Sequence, residues 1–164
     1  NLMVVRTFSK AFGLAAARVG YLFASLELSA AIEKRLLPYH VNAYSMAAAE
    51  ACFSLRETIM REVVLTEKRR EKMSAVLRKV QGVEVFPSAT NFLLLRVPEP
   101  DALCKSLAVQ GIGVRNLSYN PELAGCVRIT VGNTAENKLV CACIRDFSAQ
   151  RTQKKGGRKS DAQE

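Results

Sequence analysis

The chain has 164 residues, of which 49% are hydrophobic and 24% are charged. This is the composition of a folded globular protein of about one domain, and it excludes a disordered, collagen-like or low-complexity chain. Lysine and arginine exceed aspartate and glutamate by 24 to 15, which gives a net charge of +9. The longest stretch without a charged residue, 36–49, contains proline, histidine and asparagine and is too short to cross a bilayer.

The positive charge is not arranged as in a nucleic-acid-binding surface. Much of it falls in the basic run 68–72 and in the polar tail after Gln150. No aromatic side chains alternate with the run, and the chain has no tryptophan. We therefore interpret the run as the solvated face of a helix, and we expect no nucleic-acid partner.

The cysteines do not form a metal-binding pattern. Their number is odd, no pair has the spacing C-x-x-C, and the single histidine, His40, is far from them in the sequence. A structural zinc site needs four nitrogen or sulfur ligands at close spacings, so we predict no metal site. We interpret the cysteines as small apolar residues of a protein in a reducing compartment. The five are Cys52, Cys104, Cys126, Cys141 and Cys143.

Two strands are predicted at the start of the chain. Residues 2–8 and 18–24 are apolar, and we expect them to be buried strands from a larger parallel sheet, joined by a loop at 9–14. The sequence opens at Asn1 rather than at a methionine, beside the first of these strands, so we expect a segment upstream of it to be missing.

Helical patterns follow. Residues 26–37 have helical spacing, which Pro38 ends. From about residue 45, apolar residues return to one helical face as far as Gly82, where the long helical region is expected to end. A bend or break is expected near Thr66.

After Gly82 the pattern changes to a small α/β unit with the order β-β-α-β-β-α. Asn133 or Thr134 is the expected N-cap of its last helix. Residues 150–164 are polar and basic and are expected to be disordered. The predicted strands are 83–86, 91–97, one that begins at Val114, and 126–131, and the predicted helices are 100–110 and 134–147.

The segment 7–21, TFSKAFGLAAARVGY, groups the side chains that a phosphate site requires. Thr7 and Ser9 offer hydroxyls at the end of a predicted strand, and Arg18 offers forked donors at the start of the next. Lys10 lies among apolar residues, where desolvation would favour its neutral form. A neutral lysine beside a phosphate site suits pyridoxal phosphate, whereas the alternative is a pair of ordinary surface charges flanking a turn.

This segment resembles the Schiff-base lysine motif of the fold type I pyridoxal phosphate aminotransferases. It is most similar to the histidinol-phosphate aminotransferase group, whose usual pattern is S-K-A-F-G-L-A-G-x-R-x-G-Y. The resemblance implies that Lys10 is the catalytic lysine that binds the cofactor, and that Thr7, Ser9 and Arg18 hold its phosphate. Ala16 stands where the family usually has glycine, which changes the packing behind the loop but no chemical group.

Three later segments resemble the same family. Residues 36–51 are similar to its P-Y-N-V-N segment, residues 87–97 to its P-S-x-A-N-F segment, and residues 111–133 to its G-I-x-V-R and L-R-I-T-V-G signatures. The second of these resemblances implies that Asn91 lies near the mouth of the site. We expect Arg96, in the same segment, to be structural.

The third resemblance implies that Arg115 and Arg128 bind the anionic groups of the substrate. Independently, an arginine within the strand VRITV is costly to bury without an anionic partner. The alternative for Arg128 is a buried ion pair with aspartate or glutamate, and the alternative for Arg115 is an exposed position on a short strand.

Together these resemblances imply an α/β fold, the C-terminal part of a fold type I pyridoxal phosphate-dependent transferase. It would comprise the end of the large-domain sheet (1–44), a long interdomain helix (45–81), a small C-terminal α/β domain (82–149) and a basic tail (150–164). The implied activity is transamination between histidinol phosphate and 2-oxoglutarate in histidine biosynthesis, by a cytoplasmic homodimer. The alternatives are a threonine-phosphate decarboxylase-like enzyme, an aromatic aminotransferase, or a non-catalytic truncated remnant.

Overall fold

The computed structural model describes the backbone of residues 2–160 and the side chains as far as Arg151. The chain divides into two compact units, Asn1–Val63 and Val64–Glu164. No helix in the described part of the chain is long and apolar enough to span a membrane.

The first unit contains a two-stranded sheet of β1 (Val4–Thr7) and β2 (Gly20–Phe23). The strands pair antiparallel, so the expectation of parallel strands is wrong for this pair. The expected burial is also wrong for parts of both strands, since Val5 of β1 is 68% exposed and Phe23 of β2 is 64% exposed. The apolar pattern predicts a strand but not its partner. The small core of the unit lies beyond the strand ends and contains Phe8, Val19 and Ala49.

Three helices follow: α1 (Leu26–Glu33), α2 (Ala43–Ser54) and α3 (Arg56–Leu77). The long helical region therefore breaks at Leu55 and not near Thr66, where α3 is continuous. The Ser54 hydroxyl donates to the carbonyl of Glu50 at 3.1 Å, and bonding of this kind back to the preceding turn bends helices. The break follows directly after this contact.

The second unit contains an antiparallel sheet in the order β3-β4-β6-β5. The predicted order of strands and helices is confirmed, with an additional 3₁₀ turn at Pro121–Leu123 before the last strand. The strands are β3 (Glu84–Val85), β4 (Phe92–Arg96), β5 (Arg115–Asn116) and β6 (Cys126–Thr130), and the helices are α4 (Pro100–Val109) and α5 (Thr134–Ser160).

One face of this sheet is buried in the main hydrophobic core, together with side chains of α3, α4 and α5. Alternate residues of β4 and β6 point to this face, because successive side chains of a strand alternate between the two faces. The other face carries Phe92, Leu94 and Arg128, which are half-buried. The sheet residues in the core include Leu93, Leu95, Val127 and Ile129.

The turn from β6 into α5 is closed by side chains. Asn133 Oδ1 accepts from the backbone N–H of Glu136 at 3.0 Å, and Glu136 Oε2 accepts from the N–H of Asn133 at 2.7 Å. This reciprocal pair is a capping box, with Asn133 as the N-cap. The buried Asn137 amide also accepts from Gly132 N at 2.9 Å and donates to Gly132 O at 3.0 Å.

Helix α5 continues to Ser160, past the point where the sequence predicts a disordered tail. Residues 151–160 contain no proline, and a helix already nucleated by its cap extends more easily than a new one forms, although Gly156 and Gly157 each cost about 1 kcal/mol in a helix. Arg151 also pairs with Glu99. Residues 161–164 of the predicted tail lie outside the described residues.

Candidate functional site

Thr7, Ser9 and Arg18 lie at the same end of the β1–β2 pair. Thr7 ends β1 opposite Gly20, and the Phe8 N–H donates to the carbonyl of Val19 at 3.1 Å. The Thr7 hydroxyl donates to Ser9 Oγ at 2.9 Å and accepts from the Ser9 N–H at 3.0 Å. The two hydroxyls are therefore adjacent where the strands end.

Arg18 has an unusual backbone conformation. Its φ is +54°, a region that a residue with a side chain seldom adopts. Its Nη1 donates to the carbonyl of Ala15 at 2.9 Å, and the side chain is exposed. Backbone strain of this kind concentrates at functional sites.

Gly20 lets the two strands approach closely. A Cβ at this position would lie 2.7 Å from the carbonyl oxygen of Arg6, which is closer than two such atoms can approach. Since Gly20 faces Thr7, any side chain here would push β2 away from β1. The glycine thus lets β1 and β2 pair closely at the end where Thr7 lies.

Lys10 lies in a turn between these strands, in which its carbonyl accepts from the Gly13 N–H at 3.0 Å. Its side chain is exposed, so the desolvation expected from its apolar neighbours is absent from the described structure. Lys10, the two hydroxyls and Arg18 all belong to one loop and its flanking strand ends. An amine, two hydroxyls and a guanidinium are the groups that an aldehyde-bearing phosphate ester requires, so these residues fit pyridoxal phosphate.

Arg115 and Arg128 are directly opposed on β5 and β6 of the second unit. Directly opposed residues of an antiparallel pair share a face, with their Cβ atoms about 5 Å apart, and like charges there are destabilising. Within the described residues, neither guanidinium has an ion pair or a hydrogen bond. The buried ion pair considered for Arg128 is therefore not found. Arg115 is exposed on the two-residue strand β5, which is the alternative considered for it.

The Arg128 guanidinium has an aromatic partner instead. It lies over the ring of Phe92, 5.1 Å from the ring centroid. Phe92 was not predicted from the sequence, because its proximity to Arg128 depends on the pairing of β4 with β6. The strand pattern alone does not contain that information.

Asn91 and Arg96 lie at opposite ends of β4. Asn91 is exposed, and its carbonyl accepts from the Val131 N–H at 2.8 Å. Arg96 forms an ion pair with Glu84 at 3.0 Å and donates to the carbonyl of Ala124 at 3.3 Å. Arg96 is therefore structural, as expected.

Groups of three or more histidine, cysteine, aspartate or glutamate side chains placed to hold a metal ion are absent from the described part of the chain. All five cysteines are free thiols. Burial raises the pKa of the Cys104 thiol, and the nearby Asp101 carboxylate raises it further. The loop of Lys10 belongs to the first unit and the opposed arginines to the second.

The fold is that of a class I and II aminotransferase. The sequence profile of the family Aminotransferase class I and II matches residues 1–144, and the chain belongs to this family. The expected α/β fold class of a pyridoxal phosphate-dependent transferase is thereby confirmed.

Comparison with individual relatives gives a narrower group within the family. The chain is 36% identical over 140 residues to the histidinol-phosphate aminotransferase of Ruminiclostridium cellulolyticum, covering 85% of this chain and 39% of that protein. A second curated relative is the histidinol-phosphate aminotransferase of Hydrogenobaculum, and the match covers 43% of that protein. The chain therefore spans about two fifths of the length of these two relatives.

Two solved structures extend the comparison. The L-threonine-O-3-phosphate decarboxylase of Porphyromonas gingivalis is 28% identical with a TM-score of 0.77, covering 90% of this chain and 46% of that one. The histidinol-phosphate aminotransferase of Sinorhizobium meliloti, solved in complex with pyridoxal-5'-phosphate, is 25% identical with a TM-score of 0.71. That match covers 92% of this chain and 42% of the Sinorhizobium protein.

Proposed function

We propose that this chain carries the catalytic lysine and the substrate-binding arginines of a pyridoxal phosphate-dependent aminotransferase. Its substrates are histidinol phosphate and 2-oxoglutarate, interconverted with imidazole acetol phosphate and glutamate. The observation that carries the proposal is the placement of Thr7, Ser9, Lys10 and Arg18 in one loop and the strand ends beside it. The similarity to curated histidinol-phosphate aminotransferases supports the choice of substrate.

The loop residues divide into two roles. The hydroxyls of Thr7 and Ser9 and the guanidinium of Arg18 donate hydrogen bonds to the cofactor phosphate. Lys10 binds the cofactor and then acts as the general base, with its Nζ carrying the proton to and from the α-carbon of the substrate. Pyridoxal phosphate, when bound, supplies an electron sink that stabilises negative charge at that carbon.

Arg115 and Arg128 bind the anionic end of each substrate in turn. A transaminase meets two substrates at one site, so the same cations hold a carboxylate in one half-reaction and a phosphate in the other. Two opposed guanidiniums without an anionic partner in the described residues support this role. Asn91, exposed at the start of β4, is proposed to contact the substrate from the same sheet.

A threonine-phosphate decarboxylase-like activity is the second candidate. The similarity to the Porphyromonas decarboxylase favours it, and its substrate also joins an amino acid to a phosphate. An aromatic aminotransferase is a third candidate. A cytoplasmic homodimer is part of the proposal.

Covalent trapping tests the central assignment. The chain is mixed with pyridoxal phosphate, its absorbance is recorded near the edge of the visible range, and borohydride is added before peptide mass spectrometry. We expect the label on Lys10, no such label in Lys10→Arg, and normal labelling in the control Lys34→Arg, which changes an exposed lysine after α1. Equal labelling of many lysines in both variants would contradict the proposal.

The substrate is tested on the complete enzyme. Histidinol phosphate with 2-oxoglutarate should yield glutamate, and threonine phosphate should release no carbon dioxide. Release of carbon dioxide from threonine phosphate, without glutamate formation from histidinol phosphate, would favour the second candidate.

A further inference from the structure

Arginine side chains contact aromatic rings at four places in the described chain, and one of these contacts differs from the rest. Arg96 and Arg151 also form ion pairs, with Glu84 and Glu99. Arg56 donates a hydrogen bond to the backbone carbonyl of Phe53. Only Arg128 has the ring contact without any other partner among the described residues. The four pairs are Arg56 with Phe53, Arg96 with Phe86, Arg128 with Phe92, and Arg151 with Phe147.

The position of Phe92 follows from the pairing of β4 with β6. Leu94 faces Arg128 directly, and Phe92 faces Thr130. Phe92 is thus the diagonal neighbour of Arg128 on the same face of the sheet, a distance that aromatic and long side chains can bridge. On the other side of Arg128, its direct neighbour is Arg115.

The backbone of Phe92 is held by the preceding turn. The Ser88 hydroxyl donates to the Phe92 carbonyl at 2.6 Å, and the Phe92 N–H donates to Thr90 Oγ1 at 3.3 Å. Arg70 Nη1 on α3 in turn donates to the Thr90 carbonyl at 3.0 Å. The ring under Arg128 is therefore attached both to the sheet and, through this turn, to α3.

We propose that Phe92 is a positioning residue for Arg128, whose ring holds the guanidinium beside Arg115 with its N–H donors free for an anion. The inference rests on the anion-binding role proposed above for the two arginines. An arginine side chain without a contact loses rotamer freedom when it binds a ligand. A guanidinium that already packs on a ring loses less of this freedom, so binding costs less conformational entropy. The electron-rich face of the ring also stabilises the cation opposite a second cation.

The test is a phosphate titration of the full chain at constant ionic strength. Arginine is labelled with ¹⁵N, the Arg128 Nε–H signal is assigned by its loss in Arg128→Gln, and inorganic phosphate is the probe. Phe92→Leu should weaken phosphate binding about two- to fivefold, the usual worth of a cation–π contact at an accessible site. Phe92→Tyr, which keeps the ring, should bind like the parent protein.

The chain offers a matched control. Phe86→Leu removes the ring under Arg96, whose guanidinium is already paired with Glu84, and should leave phosphate binding unchanged. If Phe92→Leu fails to fold, pentafluorophenylalanine at position 92 replaces it, since this residue keeps the shape of the ring and reverses its charge distribution. It should weaken binding as Phe92→Leu does.

The outcomes separate the two proposals. In Arg128→Gln, which lacks the Arg128 signal, phosphate binding is read from the Nε–H signal of Arg115; if it equals that of the parent protein, the anion site itself is wrong. If Arg128→Gln weakens binding but Phe92→Leu and the fluorinated ring do not, the anion site stands and the positioning role is overturned. The positioning role is also overturned if Phe92→Tyr is as weak as Phe92→Leu.

Discussion

Arg96 and Glu84 face each other directly across β3 and β4, and their side chains form an ion pair of 3.0 Å. Arg115 and Arg128 face each other in the same way across β5 and β6, but both carry positive charge. One outer pair of strands in this sheet therefore carries compensated charge, and the other carries two cations. The contrast identifies which arginines are free to bind a ligand and provides a control for each experiment on them.

Replacing Arg128 by lysine should impair both half-reactions of the complete enzyme. Lysine keeps the charge but loses the forked pair of donors that matches a carboxylate or a phosphate. We expect a higher KM for both the amino donor and the acceptor. The expected loss in kcat/KM is about 1.5–3 kcal/mol, the usual worth of a hydrogen bond to a charged group.

Steady-state kinetics with both substrates measures this loss. Arg96→Lys is the control, because Arg96 is already paired with Glu84 and its replacement should leave both KM values unchanged. Cofactor loading should be normal in both variants. If Arg128→Lys yields less folded protein while the remaining fraction has normal kinetics, Arg128 is structural.

Gly20→Ala should disrupt the cofactor loop. The added methyl group would lie 2.7 Å from the Arg6 carbonyl oxygen, so the two strands must separate at the end where Thr7 and the loop begin. Borohydride trapping of pyridoxal phosphate on Lys10 should fall severalfold. Gly113→Ala, where the added methyl group meets no atom within 4 Å, should label normally. Equal labelling of both variants would show that the approach of the strands is unimportant.

Protection from amide exchange should differ between the two units. The core of the second unit contains fourteen buried residues, including Leu95 and Leu103 at 0% exposure, whereas the core of the first contains three. Local openings cost more where more apolar surface is buried. We expect slow exchange for β4, β6 and the buried part of α5, and fast exchange for residues 2–44. Equal protection in a monomer would contradict this expectation.

Leu95→Ala should destabilise the second unit strongly. The side chain is fully buried, and truncation of such a leucine costs about 2–5 kcal/mol. Val109→Ala, at a position 83% exposed, should change the free energy of unfolding by less than about 0.5 kcal/mol. Urea unfolding followed by circular dichroism measures both. A small effect of Leu95→Ala would mean that this unit does not have the packed core described here.

Alkaline pH should destabilise the second unit through Cys141. Burial raises the pKa of this thiol, and the positive charge of Arg145 lowers it only in part. Since the folded pKa lies above the unfolded value of about 8.5, the stabilisation is complete below that pH and decreases as the pH rises above it. Cys141→Ala should reduce the alkaline loss of unfolding free energy, and Cys143→Ala, at a half-buried position, is the control. An unchanged slope in Cys141→Ala would contradict the assignment.

Local signals predicted the second unit well. Gly82 has a φ of +77°, a conformation suited to glycine, and the helical region ends before it as predicted in kind, although α3 already ends at Leu77. The strands on either side of Pro87 and the Asn133 cap also follow from neighbouring residues, and the structure confirms them. These features depend on contacts within a few positions of the chain, which a sequence pattern contains.

Features that depend on distant residues were not predictable. The antiparallel pairing of β1 with β2 is a choice of partner that the apolar pattern does not encode. The pairing of Arg115 with Arg128 was not predictable either, because β5 is only two residues long and such a short strand shows no alternating pattern. The roles of Lys10, Arg18, Arg115 and Arg128 are implied by a family resemblance. They stay predictions until the experiments above are done.

The Asn137 amide that both accepts from and donates to Gly132 restricts which residue can occupy its position. Aspartate has nearly the same size and shape, but its carboxylate has no hydrogen to donate and would face the Gly132 carbonyl. Hydrolysis of the side-chain amide during ageing of the protein would therefore break one of the two bonds and set two oxygens against each other. Deamidation, which changes the mass of the protein by only about one unit, would therefore loosen the turn that connects β6 with α5.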